Sequence, residues 1–422
     1  MLAVPALGAL AADPLVSLVD TAFVGNLGTV PLGALGAAAA VFAVAFSLFI
    51  FLAYGTTPMI ARTRAAGNTV LAERVGGHAL TLAIGVGIVM AVLLAATANV
   101  TLAIIGAEGE VLTSGVSYLR IRSLALPAVL IITAGHGIYR GYEDTRTPFV
   151  LTLGLNLVNL VLDPLLIYTA GLGIQGAAIA TVVAQWSGAA AFLWFMFGRR
   201  GGISVRWVRP VWHELRPIVG AARALVIRTA SLIGALTLAT VVAARIGTVA
   251  LGAHQVAIQL WLFLALVVDA LAIAGQTLVG RELGSGDKGQ ATLVADRLLV
   301  MGAGFGVVLG GLMAALAGVI PGLFSDDPAV VAAVVQVYGF VVVMQPLNAI
   351  VFVWDGVAIG TEDYGYLAWS MALSAVIAGL VLAAVIPQGW GLSGVWWGLV
   401  VLMVVRALTL ATWRVRGPLA LR

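Results

Sequence analysis

Five acids stand inside long apolar stretches: Asp13, Asp20, Asp163, Asp269 and Asp355. An ionisable group at membrane depth is costly enough to be a functional candidate. Asp20 lies five residues before Gly25, Asp163 eight before Gly171, and Thr181 five after Gly176. At 1.5 Å per residue, all three fall within about 12 Å of the same ends of their helices. Asn159 precedes Asp163 by four residues, so both occupy one helix face, one turn apart. Tyr118 enters its helix at similar depth. A layer of two carboxylates, an amide, a hydroxyl and a phenol can hold a proton, because burial and a like-charged neighbour both disfavour ionisation. The same oxygens could cage a bare cation, or merely cap and join helices.

Asp13 precedes Asp20 by seven residues on the same face, about 10 Å deeper. Pro14 follows it and Pro5 lies further in. Proline removes a helix hydrogen bond and bends the helix, so the first span is expected to carry acids and to bend, as a switch or as a static kink. Arg228 and Asp269 lie at equal depth in adjacent spans and are expected to pair, although direct substrate contact is the alternative reading. Asp355, five residues from a helix end, reads equally as a functional acid of the C-lobe or as one that reaches headgroup water. His136, His254 and Gln255 read as packing hydrogen bonds, while Arg120, Arg122 and Arg406 read as snorkelling cations.

The elements that must position these groups are membrane helices. Of 422 residues 62% are hydrophobic and 9% charged, and the mean hydropathy is +1.10. No soluble domain tolerates such a surface. A helix needs about 20 apolar residues to cross. Continuous apolar runs, rather than alternation over ~10 residues, exclude a β-barrel. Polar and glycine-rich breaks divide the chain into twelve spans: 2–24, 33–58, 75–104, 112–140, 147–169, 174–198, 217–244, 252–279, 293–319, 330–358, 365–387 and 394–414. The N-terminal stretch lacks a cationic start and holds two acids, so it reads as the first span rather than a cleaved signal.

Sixteen basic residues fall in the even-numbered breaks and the C-terminus, against Arg245 alone in the odd-numbered ones. Positive charge stays on the cytoplasmic side. Both termini are therefore expected in the cytoplasm of a multi-pass plasma (inner) membrane protein, and the net charge of +4 is a topology signal rather than a nucleic-acid footprint. The chain has no cysteine, which excludes thiol chemistry and disulfides.

An internal repeat appears at an offset of 219 residues. LGTVPLGALG (27–36) lies over IGTVALGAHQ (246–255), Pro127 over Pro346, Gly141 over Gly360, and Glu143-Asp144 over Glu362-Asp363. Six spans per repeat put both halves in the same orientation, related by a pseudo-twofold axis along the membrane normal, a recurrent transporter design. The expected fold is all-α: an N-lobe over 1–198, a cytoplasmic linker over 199–216 and a C-lobe over 217–422. The second repeat has Ala239 and Leu382 or Val381 where the first has Asp20 and Asp163.

The segments LVDTAFVGNLGTVPLGALG, YRGYEDTRTP, NLVLDPLLIYTAGLGIQGAAIAT, GAHQ and LVGRELGSGD together resemble the multidrug and toxic compound extrusion (MATE) family across essentially the whole chain. LAYGTT (52–57) and IRT (227–229) are similar to its DinF-type branch. The resemblance implies a two-lobe antiporter exporting organic, often cationic, compounds against a proton or sodium gradient, with an N-lobe cation site at Asp20, Asn159, Asp163 and Thr181. Branches with a C-lobe site carry a Glu in helix 7 and an Asp in helix 10. Here helix 7 has no Glu and the helix 10 position falls on Asn348. A lipid-linked oligosaccharide flippase of the same superfamily is the competing function, and no H-E-x-x-H or nucleophile cluster suggests an enzyme. Small organic substrates and membrane lipids are the expected partners of a monomer, with no nucleic acid and no cofactor beyond the coupling H+ or Na+.

Overall fold

The computed structural model describes residues 3–47, 49–198, 203–324 and 327–419, except the side chains of residues 3–4 and 10–16. Asp13 and the ring of Pro14 thus lie outside the described residues, as do Arg199 and Arg200 of the linker. Every described element is a helix or a connection between helices.

In the first half the helices are α1 (Ala3–Gly25), α2 (Thr29–Ser47), α3 (Phe51–Ala65), α4 (Thr69–Ile104), α5 (Gly109–Ser123), α6 (Leu126–Gly141), α7 (Arg146–Pro164) and α8 (Gly173–Phe197). The second half contains α9 (Trp212–Ile246), α10 (Thr248–Gly284), α11 (Lys288–Ala315), the short α12 (Ile320–Leu323), α13 (Pro328–Val343), α14 (Gln345–Gly360), α15 (Tyr364–Val385) and α16 (Gly391–Arg416). Among the described residues, nine helical segments are long and apolar enough to cross a membrane, and two bent pairs raise this to eleven. The 23-residue α1 covers the stretch expected to be the first span. Large apolar side chains such as Val92, Ile104, Val308, Val343 and Leu380 are exposed, as a lipid-facing surface requires.

Three spans differ from their expected form. The second is broken after Ser47 and resumes at Phe51, running on to Ala65. The fourth and tenth are each two helices, α5–α6 bent by 49° and α13–α14 by 50°. Pro127 and Pro346 stand at the starts of α6 and α14. Lacking an N–H, a proline at that position costs no intrahelical bond, and a glycine on the neighbouring helix lets the bend approach. A Cβ on Gly87 would lie 2.6 Å from Pro127, and one on Gly306 would lie 2.7 Å from Pro346.

The repeat extends to such details. Asn68 caps α4 by accepting from the Leu71 N–H, and Asp287 caps α11 by accepting from Gln290. Glu143 and Glu362 both adopt φ of 64° in the turns after α6 and α14. Gly137 backs onto Ala53 in the first half, as Gly356 backs onto Ala272 in the second. Each pair keeps the offset read from the sequence.

The chain divides into two compact units, Met1–Ala222 and Arg223–Arg422. In the first, α1 packs on α7, α2 on α5, and α8 on α5, α6 and α7; in the second, α14 packs on α10, α11 and α16. The first unit also holds the extended segment after α8. Ile203 and Val205 are buried, the Tyr142 hydroxyl donates to the Ser204 carbonyl at 2.8 Å, and Arg206 N–H donates to the Glu73 carbonyl at 3.2 Å. Glu214 then closes on Arg74 at 2.6 Å and on the fully buried His78 at 2.7 Å.

Candidate functional site

The acid layer is assembled by four helices of the first unit, α1, α5, α7 and α8. Asp163 ends α7, immediately before Pro164 and the single π-helical turn Leu165–Thr169. Wide turns of this kind interrupt the ordinary ladder and often mark functional positions. The Tyr168 hydroxyl donates to the Phe23 carbonyl at 2.6 Å, tying this turn to the end of α1 and bringing Asp20 opposite Asp163. The Gln175 amide donates to the Ser117 hydroxyl at 2.9 Å and holds α8 against α5.

The Asp20 and Asp163 carboxyls come within hydrogen-bonding reach of each other. The side-chain N–H of Asn159 donates to Asp163 Oδ2 at 2.9 Å, the bond that four-residue spacing makes possible. Asp163 is 0% exposed and Asn159 3%. One oxygen of each acid, Asp20 Oδ1 and Asp163 Oδ1, is buried without a hydrogen-bond partner. Such orphaned acceptors are rare and point to something that binds there. Thr181 donates its own hydroxyl hydrogen to the Ala177 carbonyl at 2.9 Å, leaving oxygen lone pairs to offer. Tyr118, also buried, borders the same space.

That space is a cavity of about 430 Å³ whose wall includes Asp20, Tyr118, Arg122, Asn156, Asn159, Thr181 and Gln185, with Leu35, Phe42 and Phe46 supplying apolar surface. A second cavity, of about 310 Å³, shares Phe46, Val129 and Gln185 with the first and reaches His136 and Arg140. His136 Nε2 lies 3.1 Å from the Thr152 hydroxyl, and His254 Nε2 lies 3.2 Å from that of Thr240, the packing hydrogen bonds expected of them. Sequence reasoning passed over Asn156 and Gln185, and did not place Arg122 at this cavity. Asn156 lies on the Asn159 face at i−3, a spacing signal that was available.

The polar cluster of the second unit corrects two expectations. Asp355 does not reach headgroup water: it is 4% exposed and meets Arg228 at 2.5 Å. Arg406 does not snorkel; it is 1% exposed, bonds to the same Asp355 oxygen and lies 5.5 Å from the Phe352 ring centre. One carboxylate thus serves two guanidiniums. Depth counting placed Asp269 level with Arg228 and missed the contact of Arg228 with Asp355. Asp269 is half-buried on α10. Arg122 does not snorkel either, since its guanidinium stacks 4.2 Å from the Phe42 ring centre at the cavity wall. Pro5 lies within α1 and is half-buried. Among the described residues no group of three His, Cys, Asp or Glu is placed to hold a metal.

A duplicated six-span lobe with lipid-facing apolar surfaces and, in one half, a largely apolar cavity carrying an acid and amides defines a multi-pass helical membrane transporter rather than an enzyme. The chain belongs to the MatE family, whose model matches residues 5–165 and 224–385. The two matches start at the repeat offset. The chain is thus a multidrug and toxic compound efflux transporter by family. It is 33% identical to "Protein DETOXIFICATION 44, chloroplastic" of Arabidopsis thaliana, over 98% of this chain and 81% of that one. It is 30% identical to "DNA damage-inducible protein F" of Escherichia coli (strain K12), over 95% and 88%. The crystal structure of a MATE in the bent conformation shares the fold, with a TM-score of 0.92 at 20% identity over 98% of this chain and 94% of that one.

Proposed function

We propose that the protein is a cation-coupled antiporter that exports lipophilic or cationic organic compounds by alternating access, with Asp20 and Asp163 as the coupling site. The observation that carries this reading is the adjoining pair of carboxyls, each with a buried oxygen lacking a hydrogen-bond partner, with Asp20 lining a cavity large enough for a small organic molecule and Asp163 behind it. A proton or a sodium ion would satisfy those oxygens, with Asn159, Thr181 and Tyr118 completing the set. The cavity's apolar wall suits flat, lipophilic compounds. Asp13 and the bend of α1 belong to the same proposal as the part that responds to occupancy. The protein acts in the plasma membrane as a monomer with both termini cytoplasmic, needs no organic cofactor and binds no nucleic acid.

A flippase for lipid-linked pyrophosphates needs deep cations turned toward its cargo. Arg228 and Arg406 instead share Asp355, which leaves antiport as the better supported function.

Antiport requires substrate and coupling cation to exclude one another, since a ligand shifts an equilibrium only by its differential affinity. Ethidium added to the purified protein in weakly buffered detergent solution should therefore release protons or, in sodium medium, bound radioactive sodium. Ethidium binding with neither cation released would contradict antiport.

A further inference from the structure

The acid pair has a cationic neighbour that the coupling site as described does not use. Arg122 follows Tyr118 by four residues on α5, so the two side chains share one face, one turn apart. Its guanidinium stacks 4.2 Å from the Phe42 ring centre, an orientation favoured by the ring's negative face. It borders the same cavity as Asp20, is hydrogen-bonded to Tyr118 and acts electrostatically on Asp20. Its Nη1 is buried with no hydrogen-bond partner. The first turns of α5 face the same helix ends as the acids, and Arg122, in the last turn, is therefore the cation on the inward side of the layer.

The other charged and titratable groups facing this space are few. Among the described residues α1 supplies Asp20 and α5 Tyr118 and Arg122, with Asp163 of α7 against Asp20, while α2, α6 and α8 contribute none; the side chain of Asp13 lies outside the described residues. Counting formal charge among the described residues, two carboxylates and one guanidinium leave the site one positive charge short of neutrality. Inside a membrane a net charge is expensive, and the arrangement that minimises it is the one occupied.

We propose that Arg122 is a resident counter-charge of the acid pair, so that the site takes up one monovalent cation per protein rather than two. The inference rests on the coupling role of Asp20 and Asp163. Arg122 is a positioning residue: it touches the site through Tyr118 and the cavity rather than carrying the transported cation. With Arg122 in place, neutrality is reached when one proton or one sodium ion binds. Without it, the two carboxylates demand a second cation, and the first binds more tightly because the nearby positive charge is gone.

The test counts cations on purified, detergent-solubilised protein. Proton uptake is measured with a pH indicator across a stepwise acidification, and sodium by radiotracer at fixed alkaline pH. Each count is taken as the difference between a protein and the same protein carrying Asp20→Asn and Asp163→Asn, which removes the contribution of surface groups. The wild type should bind one cation in total. Arg122→Gln should bind two, with the first half-saturating at a concentration lower by about tenfold or more, as loss of a unit charge bordering the same cavity implies. Arg122→Lys keeps the charge and should count one. A wild-type count of two overturns the counter-charge whether or not the variants fold. A normal melting temperature for Arg122→Gln with an unchanged count also overturns it. A wild-type count of zero overturns the coupling role of the acids together with this inference, so the two failures are distinguishable.

Discussion

At the scale of single residues, the two halves use buried charge in opposite ways. In the second unit Asp355 is tied by Arg228 and Arg406, leaving little for a mobile cation to bind. In the first, Asp20 and Asp163 adjoin with oxygens left over. The same repeat position carries His136 in one half and Asp355 in the other, yet His136 borders a cavity while Asp355 is sealed. Breaking a buried pair by removing one partner costs about 3–5 kcal/mol, because the survivor remains charged. Asp355→Asn should therefore lower the melting temperature and the yield of folded protein markedly. Adding Arg228→Met and Arg406→Leu should restore much of both. Retained stability in Asp355→Asn alone would contradict a structural role for the triad. Asp20, Asn159, Asp163, Thr181 and Tyr118 could be read from the sequence because depth and four-residue spacing depend only on the helix itself. Asp355 and Arg122 could not be placed, because counting residues to a helix end measures distance to the surface along one helix and ignores the neighbours that cover it.

At the scale of elements, close helix approach depends on glycines whose missing Cβ makes the contact. A Cβ on Gly356 would lie 2.3 Å from the Ala272 carbonyl, and one on Gly137 2.8 Å from that of Ala53. These obstacles are backbone, which cannot swing aside. Gly356→Ala and Gly137→Ala should each cost about 1–3 kcal/mol by forcing helices apart, read as a lower melting temperature in detergent. Gly36→Ala, where the added atom meets nothing, should be nearly neutral. Equal effects at all three would refute the packing argument. The linker offers a second test. Glu214 neutralises Arg74 and bonds the buried His78, fastening the segment 203–214 to the first unit. Glu214→Ala should leave His78 without this partner and raise protease cleavage within that segment by about tenfold, whereas an unchanged cleavage rate would show that the apolar contacts of Ile203 and Val205 suffice. The bends at Pro127 and Pro346 were missed as breaks because the apolar pattern runs through them. The proline signal was present, and the glycine that accommodates it sits on another helix.

At the scale of the whole molecule, duplication explains most of the fold, and the acid pair proposed to couple transport stands where duplication fails. Caps, turns, bends and close contacts recur at one offset, but the acids have no counterparts at Ala239 and Leu382. The proposed topology rests on the basic asymmetry, and a chain without cysteine allows it to be checked cleanly. Arg209→Cys and Glu108→Cys, both exposed, should react with a membrane-impermeant maleimide only from the cytoplasm and only from outside, respectively; the reverse pattern would overturn the orientation. The most direct test of the account is ethidium efflux from proteoliposomes with a proton or a sodium gradient imposed alone. Asp20→Asn and Asp163→Asn should each abolish gradient-driven efflux while ethidium binding without a gradient survives. Full gradient-driven transport by both variants would contradict coupling through the N-lobe.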